Sequence, residues 1–242
     1  MNDGNKIGRM TRTLVRGALD ALFPRTCRVC GRSLVEGETL LCVGCMAALP
    51  RTRFHLDGFN SLHRRLGGHH PVEVAAAWFH YMPDSPYAGL IRRAKYDDRP
   101  LYARQMGAMY ARELLADGVG AGFDVLLPVA MHPLKRFVRG YNQADEIARG
   151  MAGIFGCDVG DNLRAMRRHT TQTRRGAYER YSNIAGSFAV VSPHELDGLN
   201  VVIVDDVITT GSTIADCIRA VGESSAPASI NVLSLGATLL KA

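Results

Sequence analysis

Two adjacent carboxylates, Asp205 and Asp206, close the β-branched run Val201-Val202-Ile203-Val204, and the hydroxyls of Thr209, Thr210, Ser212 and Thr213 follow around Gly211. A buried apolar strand of this kind delivers its last residues to the C-terminal edge of an open α/β sheet, where ligands bind. Carboxylates accept hydrogen bonds from vicinal sugar hydroxyls, and threonine and serine hydroxyls donate to phosphate oxygens. The turn opens into a helix expected from about Thr213 to Val221, whose first N–H groups and dipole favour an anion. Ribose 5-phosphate carries both kinds of group. The blander reading of the same residues is a helix cap at Thr209 or Thr210 beside a solvated strand end. The G-x-x-x-x-G-K-[ST] pattern is absent, which excludes a Walker-type phosphate loop.

A second constellation lies near the N-terminus. Cys27 and Cys30 form one C-x-x-C, Cys42 and Cys45 form another, and eleven residues separate them. That spacing suits two knuckles sharing one tetrahedral Zn²⁺. Gly31 and Gly44 supply the tight turns. Four thiolates fill the coordination sphere and leave no position for water, so the zinc is expected to be structural, contributing folding energy to a unit with little core. Cys157 and Cys217 stand alone and read as packed residues, and His69 and His70 read as solvated loop residues.

The basic residues are concentrated. Arg164, Arg167, Arg168, Arg174, Arg175 and Arg180 share a stretch with the single acid Glu179. Such a stretch fits a mobile loop, a nucleic-acid patch, or a solvated charged surface. Lys135, Arg136 and Arg139 follow an expected strand ending at Val129, which places them near the same sheet edge as the aspartates. Lys95 and Tyr96 are a further candidate contact, although Lys95 also fits a lysine snorkelling from a helix face.

The elements that must position these residues are legible from periodicity. Val74–Tyr81, Asp124–Val129, Val201–Val204 and Ile230–Leu235 read as strands. Met10–Leu22, Tyr87–Leu115 and Gln143–Phe155 read as helices. Strands alternating with helices predict an α/β domain with a mostly parallel sheet. Arg51–Pro71 is polar and rich in turn formers, so the expected division is 1–71 for an N-terminal helix and zinc ribbon and 72–242 for the α/β domain. The chain has 242 residues, 47% of them hydrophobic, and a formal charge of +6, which fits anionic partners. No apolar run is long enough to span a bilayer and no secretory core is present, so the expectation is a cytoplasmic protein without membrane insertion. Oligomeric state is open.

The segment Val201 to Ile214 resembles the signature of type I phosphoribosyltransferases, most specifically at Asp205, Asp206, Thr209, Thr210, Gly211 and Thr213. More of the chain is similar to one branch, the ComF family of competence-related proteins. The similarity includes Leu127-Pro128-Val129, His132-Pro133-Leu134, Arg136, Arg139-Gly140-Tyr141-Asn142-Gln143-Ala144, Arg167 to Thr173, Arg180, Asn183, Phe188, Lys95-Tyr96 and the cysteine ribbon. The resemblance implies a type I phosphoribosyltransferase fold with a zinc ribbon, binding phosphoribosyl pyrophosphate with Mg²⁺. In that reading Asp205 and Asp206 hold the ribose hydroxyls, and Thr209, Thr210, Gly211, Ser212 and Thr213 hold the 5-phosphate. Arg174 and Arg175 belong to the hood over the substrate, and Val129, Arg136, Arg139 and Lys95 complete the contacts. The implied activity is glycosyl transfer to an acceptor that the sequence does not name. Two other readings stay open: an accessory protein handling single-stranded DNA for competence or DNA uptake, and a ligand sensor without turnover.

Overall fold

The computed structural model describes residues 25–66, 70–96, 100–131, 136–137, 140–166 and 186–239, and side chains at all of these except 94–96. The expected helix at Met10–Leu22, together with Arg139, Arg174 and Arg175, lies outside the described residues, as does the side chain of Lys95. Two compact units are present, Met1–Leu49 and Pro50–Ala242.

In the first unit the chain folds back on itself over a few residues. Thr26 and Ser33 form an antiparallel bridge, Cys27 N–H donates to Arg32 O at 2.7 Å, and Arg28 N–H donates to Leu40 O at 2.9 Å. A short helix, α1 (Val43–Ala47), carries the second knuckle, with Cys42 as its N-cap. Glu38 ties the unit together. Its buried carboxylate accepts from the N–H of Val35 at 2.9 Å and of Val43 at 2.7 Å, while its carbonyl accepts from Arg25 at 3.2 Å.

In the second unit a five-stranded sheet runs in the order β1 (Ala75–His80), β7 (Ser229–Ala237), β6 (Asn200–Ile208), β2 (Val125–Pro128) and β3 (Asp158–Val159), all neighbours parallel. Its helices include α2 (Ser61–Leu66), α3 (Ala88–Tyr96), α4 (Pro100–Ala116), α5 (Gln143–Phe155) and α6 (Ser212–Ser224). A separate antiparallel pair, β4 (Leu163–Ala165) with β5 (Phe188–Val190), flanks the stretch 167–185. This is the sheet and helix arrangement that the resemblance implied.

Both faces of a central parallel strand are covered, which is why β2 and the Val201–Val204 part of β6 are apolar throughout. Val125, Leu127, Val201 and Ile203 share one cluster with Ile214, Cys217, Ile218 and Val221 of α6 and with Leu62 and Leu66 of α2. The other face lies under α4 and α5, with Trp78 of β1 stacked on Tyr110 of α4 at 6.0 Å. Trp78 Nε1 donates to Glu113, which also takes two bonds from Arg51 at 2.8 and 2.9 Å. Glycines set the spacing of α4 and α5. A Cβ at Gly107 would collide with the Ile147 carbonyl, and one at Gly150 with the Arg104 carbonyl.

Three elements differ from the sequence expectation. Strand β6 does not stop at Val204 but runs to Ile208, because β7 pairs with it as far as Ala237. The expected Tyr87–Leu115 helix is two helices, α3 and α4, on either side of residues 97–99. The polar stretch Arg51–Pro71 contains a 3₁₀ turn, Phe54–Leu56, and α2, whose buried leucines belong to the core. Asn60 makes α2 possible: its side chain accepts from Leu62 N–H at 2.8 Å and donates to Ala75 O at 2.8 Å. Among the described residues no helix is long and apolar enough to cross a membrane.

Candidate functional site

The two carboxylates lie within β6. Consecutive residues of an extended strand project to opposite faces, so Asp205 shares the face of Val201 and Ile203, toward α6, and Asp206 shares that of Val202 and Val204. Cys217 of α6 senses the first of these, since burial pushes its thiol well above the ordinary range and the nearby charges of Asp205 and Asp216 add to the effect. The Oδ1 atoms of Asp205 and Asp206 accept from the next backbone N–H in each case, Asp206 at 2.8 Å and Val207 at 2.7 Å.

Beyond Ile208 the chain turns through exposed Thr209 and Thr210 into Gly211, whose φ of 85° is left-handed and which begins α6. The Thr210 and Ser212 hydroxyls lie 2.8 Å apart. Gly211 is required twice over, by its φ and by its neighbours, because a Cβ there would lie 3.0 Å from Arg65 Cγ. Arg65, at the end of α2, holds the turn from behind, donating from Nη1 to Thr209 O at 2.6 Å and from Nη2 to Thr238 O at 2.7 Å. Nothing in the sequence pattern singled out Arg65. Its partners are backbone carbonyls more than a hundred positions away, which leave no local signature.

At the end of β2, Val129 is buried and donates its N–H to Val204 O at 2.8 Å, so the next loop starts beside β6. Asn142 fixes the other end of that loop. Its side chain caps α5 at Ala144 N–H and donates to Val129 O at 3.0 Å. Between them opens a cavity of about 500 Å³ whose lining includes Pro128, Arg136, Asn142, Arg149, Asp161 and Arg164. Arg149 pairs with Asp145 at 3.1 Å and Arg164 with Asp161 at 2.6 Å, and the Arg164 guanidinium holds the Asp161 carboxyl below its usual range. The structure thus gathers Arg136 with Pro128, Asn142 and Arg164, which the sequence singled out, and with Arg149 and Asp161, which it did not, while Asp205, Asp206 and the Thr209–Thr213 turn are not part of this cavity's lining. The return from the arginine-rich stretch is anchored by Asp216 of α6, a second residue the sequence did not flag. Its carboxylate accepts from the N–H groups of Gly186, Ser187 and Phe188 at 2.8–3.2 Å and pairs with Arg219 at 2.7 Å.

The four cysteines converge. One sulfur from each of Cys27, Cys30, Cys42 and Cys45 lies within 4.8 Å of all the others, and Cys30 and Cys42 are 3.7 Å apart. Zn–S bonds of about 2.3 Å in a tetrahedron require sulfurs about 3.8 Å apart, so the set fits a zinc ion with no open position. Burial raises the Cys27 thiol, but N–H groups of Cys30, Cys42 and Val29 outweigh it and lower the thiol to about 6. The N–H of Cys45 likewise lowers Cys42. Backbone donors aimed at sulfur favour thiolates, the form that binds metal.

The chain matches no family model. It is 30% identical over 217 residues to DNA utilization protein YhgH of Escherichia coli O157:H7, covering 88% of this chain and 90% of that protein. Competence protein F of Haemophilus influenzae is 34% identical over 93 residues, 38% of this chain and 41% of that protein. Among solved structures, a purine phosphoribosyltransferase from Pyrococcus horikoshii superimposes with a TM-score of 0.33 and 19% identity over 63% of this chain and 78% of that one. With sequence identity sustained along nearly the whole length of the first of these relatives, the chain belongs to the ComF family, together with DNA utilization protein YhgH and competence protein F.

Proposed function

We propose that the chain binds phosphoribosyl pyrophosphate, together with Mg²⁺, at the C-terminal ends of β6 and β2, and that it transfers the phosphoribosyl group to an acceptor. The observation that supports this reading is the order along the chain, in which Asp205 and Asp206 lie in the last residues of β6 and the Thr209–Thr213 turn that begins α6 follows within a few residues. In this reading the turn and the first N–H groups of α6 receive the 5-phosphate, and the aspartates receive the ribose hydroxyls. Val129 and Arg136 lie on the pyrophosphate side, with Arg139, Lys95, Arg174 and Arg175 as further proposed contacts. Mg²⁺ would neutralise charge on the pyrophosphate. The bond from the anomeric carbon to pyrophosphate breaks, the acceptor bonds to that carbon, and the acceptor's proton leaves to solvent or a base. Protein groups assist chiefly by positioning and by stabilising the charge that develops. Cys27, Cys30, Cys42 and Cys45 hold a structural zinc.

Isothermal titration of the full chain with phosphoribosyl pyrophosphate and Mg²⁺ tests the reading. Saturable binding is expected, and Asp205→Asn combined with Asp206→Asn abolishes it without changing the thermal midpoint by more than a few degrees. A folded chain that takes up no ligand refutes the proposal.

The names of the relatives favour a second role, in competence or DNA utilization. The arginines lining the β2 and β3 ends fit nucleic-acid phosphates as well as pyrophosphate. Binding of single-stranded DNA that weakens steeply with salt supports this role, and absence of binding at low salt removes it.

A further inference from the structure

Among the described residues the guanidinium behind the turn has no acidic partner. Its acceptors are neutral carbonyls: Thr209 O at 2.6 Å, Ile208 O at 3.4 Å and Thr238 O at 2.7 Å. Among the described residues no carboxylate pairs with Arg65, and its Nε is buried without a hydrogen-bond partner. Burial pulls its pKa down, and no described acid opposes this. An arginine keeps its charge under such partial burial because its intrinsic pKa lies above 12. Among the described residues, one positive charge without a paired carboxylate therefore stands directly behind the Ile208–Thr210 backbone.

That charge reaches the front of the turn through the peptide groups. The peptide bonds of the described residues are trans, so the carbonyls of Ile208 and Thr209 point opposite to the N–H groups of Thr209 and Thr210, which share their peptide planes. With the carbonyls held by a cation, those N–H groups face away from Arg65 and are polarised toward stronger donation. The contact of Gly211 with the Arg65 stem fixes the turn against the same side chain. Hydroxyls and amides alone would treat anions of one shape much alike. A fixed cation behind them does not.

We propose that Arg65 is a positioning residue that sets the charge of the Thr209–Thr213 turn, so that the turn selects a phosphomonoester dianion over a monoanionic group of the same shape. The inference rests on the sugar-phosphate reading above and adds to it the charge state of the ligand. A phosphomonoester carries about −1.5 to −2 charges at neutral pH, whereas a sulfate monoester offers the same tetrahedral oxygens with a single charge.

Ribose 5-phosphate and ribose 5-sulfate, titrated calorimetrically into the full chain and its R65Q and R65K variants at one pH and ionic strength, provide the test. The wild-type chain prefers the phosphate. R65Q, shown to be folded by circular dichroism, loses about tenfold in affinity for the phosphate, the scale of one screened charge interaction, and much less for the sulfate. R65K keeps the charge but not the three-carbonyl geometry, so it binds both ligands more weakly and retains the preference. Unchanged affinities in R65Q, or equal losses for the two ligands, overturn the inference. Loss of the preference in folded R65K overturns it too, and decides the matter if R65Q does not fold. If the wild-type chain binds neither ligand, the sugar-phosphate reading itself fails and this inference with it, a result separable from the others because it involves no variant.

Discussion

Between Arg25 and Leu49 the buried apolar side chains are Leu40, Leu41 and Leu49 with Cys27 and Cys42, whereas the α/β unit buries both faces of a five-stranded sheet. Three leucines contribute at most about 3 kcal/mol each. Ordering the backbone costs about 1–2 kcal/mol per residue, so a segment of this length cannot be held by its core. Local hydrogen bonds around Glu38 help, yet the term large enough to close the gap is a metal bound by four thiolates, worth about 10–16 kcal/mol in small zinc peptides. The α/β unit needs no such ion, because its strands and helices exclude water from each other. The site proposed above belongs to the second kind of structure and its loops are free to specialise.

The comparison can be broken most decisively by stripping the metal. Chelation, or Cys42→Ser, is expected to abolish amide protection across residues 26–46 while leaving β6 and β7 protected, as read by hydrogen exchange. Loss of protection in both units together would mean that they are not independently held. The converse experiment attacks the α/β unit where it is tightest. Gly150→Ala drives a methyl into the Arg104 carbonyl, and an overpacking cost of about 2 kcal/mol or more is expected, measured by urea denaturation, with zinc content unchanged. The smallest effect sharpens the account of the first unit. Glu38→Gln keeps one acceptor oxygen for the N–H groups of Val35 and Val43 and gives up the other, so zinc affinity should fall about tenfold in competition with a chromogenic chelator. An unchanged affinity would show that Glu38 does not help to shape the knuckles.

Much of this was legible before any coordinates. Val201–Val204 could hardly be anything but a buried strand, and two C-x-x-C pairs eleven residues apart could hardly serve separate ends. Helix α5 announced itself by periodicity. The rest depended on partners remote in sequence. That Asp205 and Asp206 are inside β6 follows from pairing with Ser234–Ala237, which neither segment encodes alone. Helix α2 looked like polar connection because Arg64, Arg65 and His63 dominate its composition, and only Leu62 and Leu66, four apart, mark its buried stripe. The short pair β4 and β5 has mostly half-buried residues and lacks the alternation that identifies longer strands. Among the described residues Arg65 and Asp216 bind chiefly backbone atoms, with Arg219 a charged side-chain partner of Asp216, and such roles depend on geometry rather than on residue spacing.

Trp78 is the chain's single tryptophan, and it lies on β1 at 2% exposure against Tyr110 with its indole N–H on Glu113. A fluorophore so enclosed emits toward the blue and shifts red when α4 leaves the sheet. The protein therefore carries an intrinsic optical gauge of one unit, while a chromogenic chelator would follow release of metal from the cysteines of the other, so that the two transitions can be timed separately in a single sample.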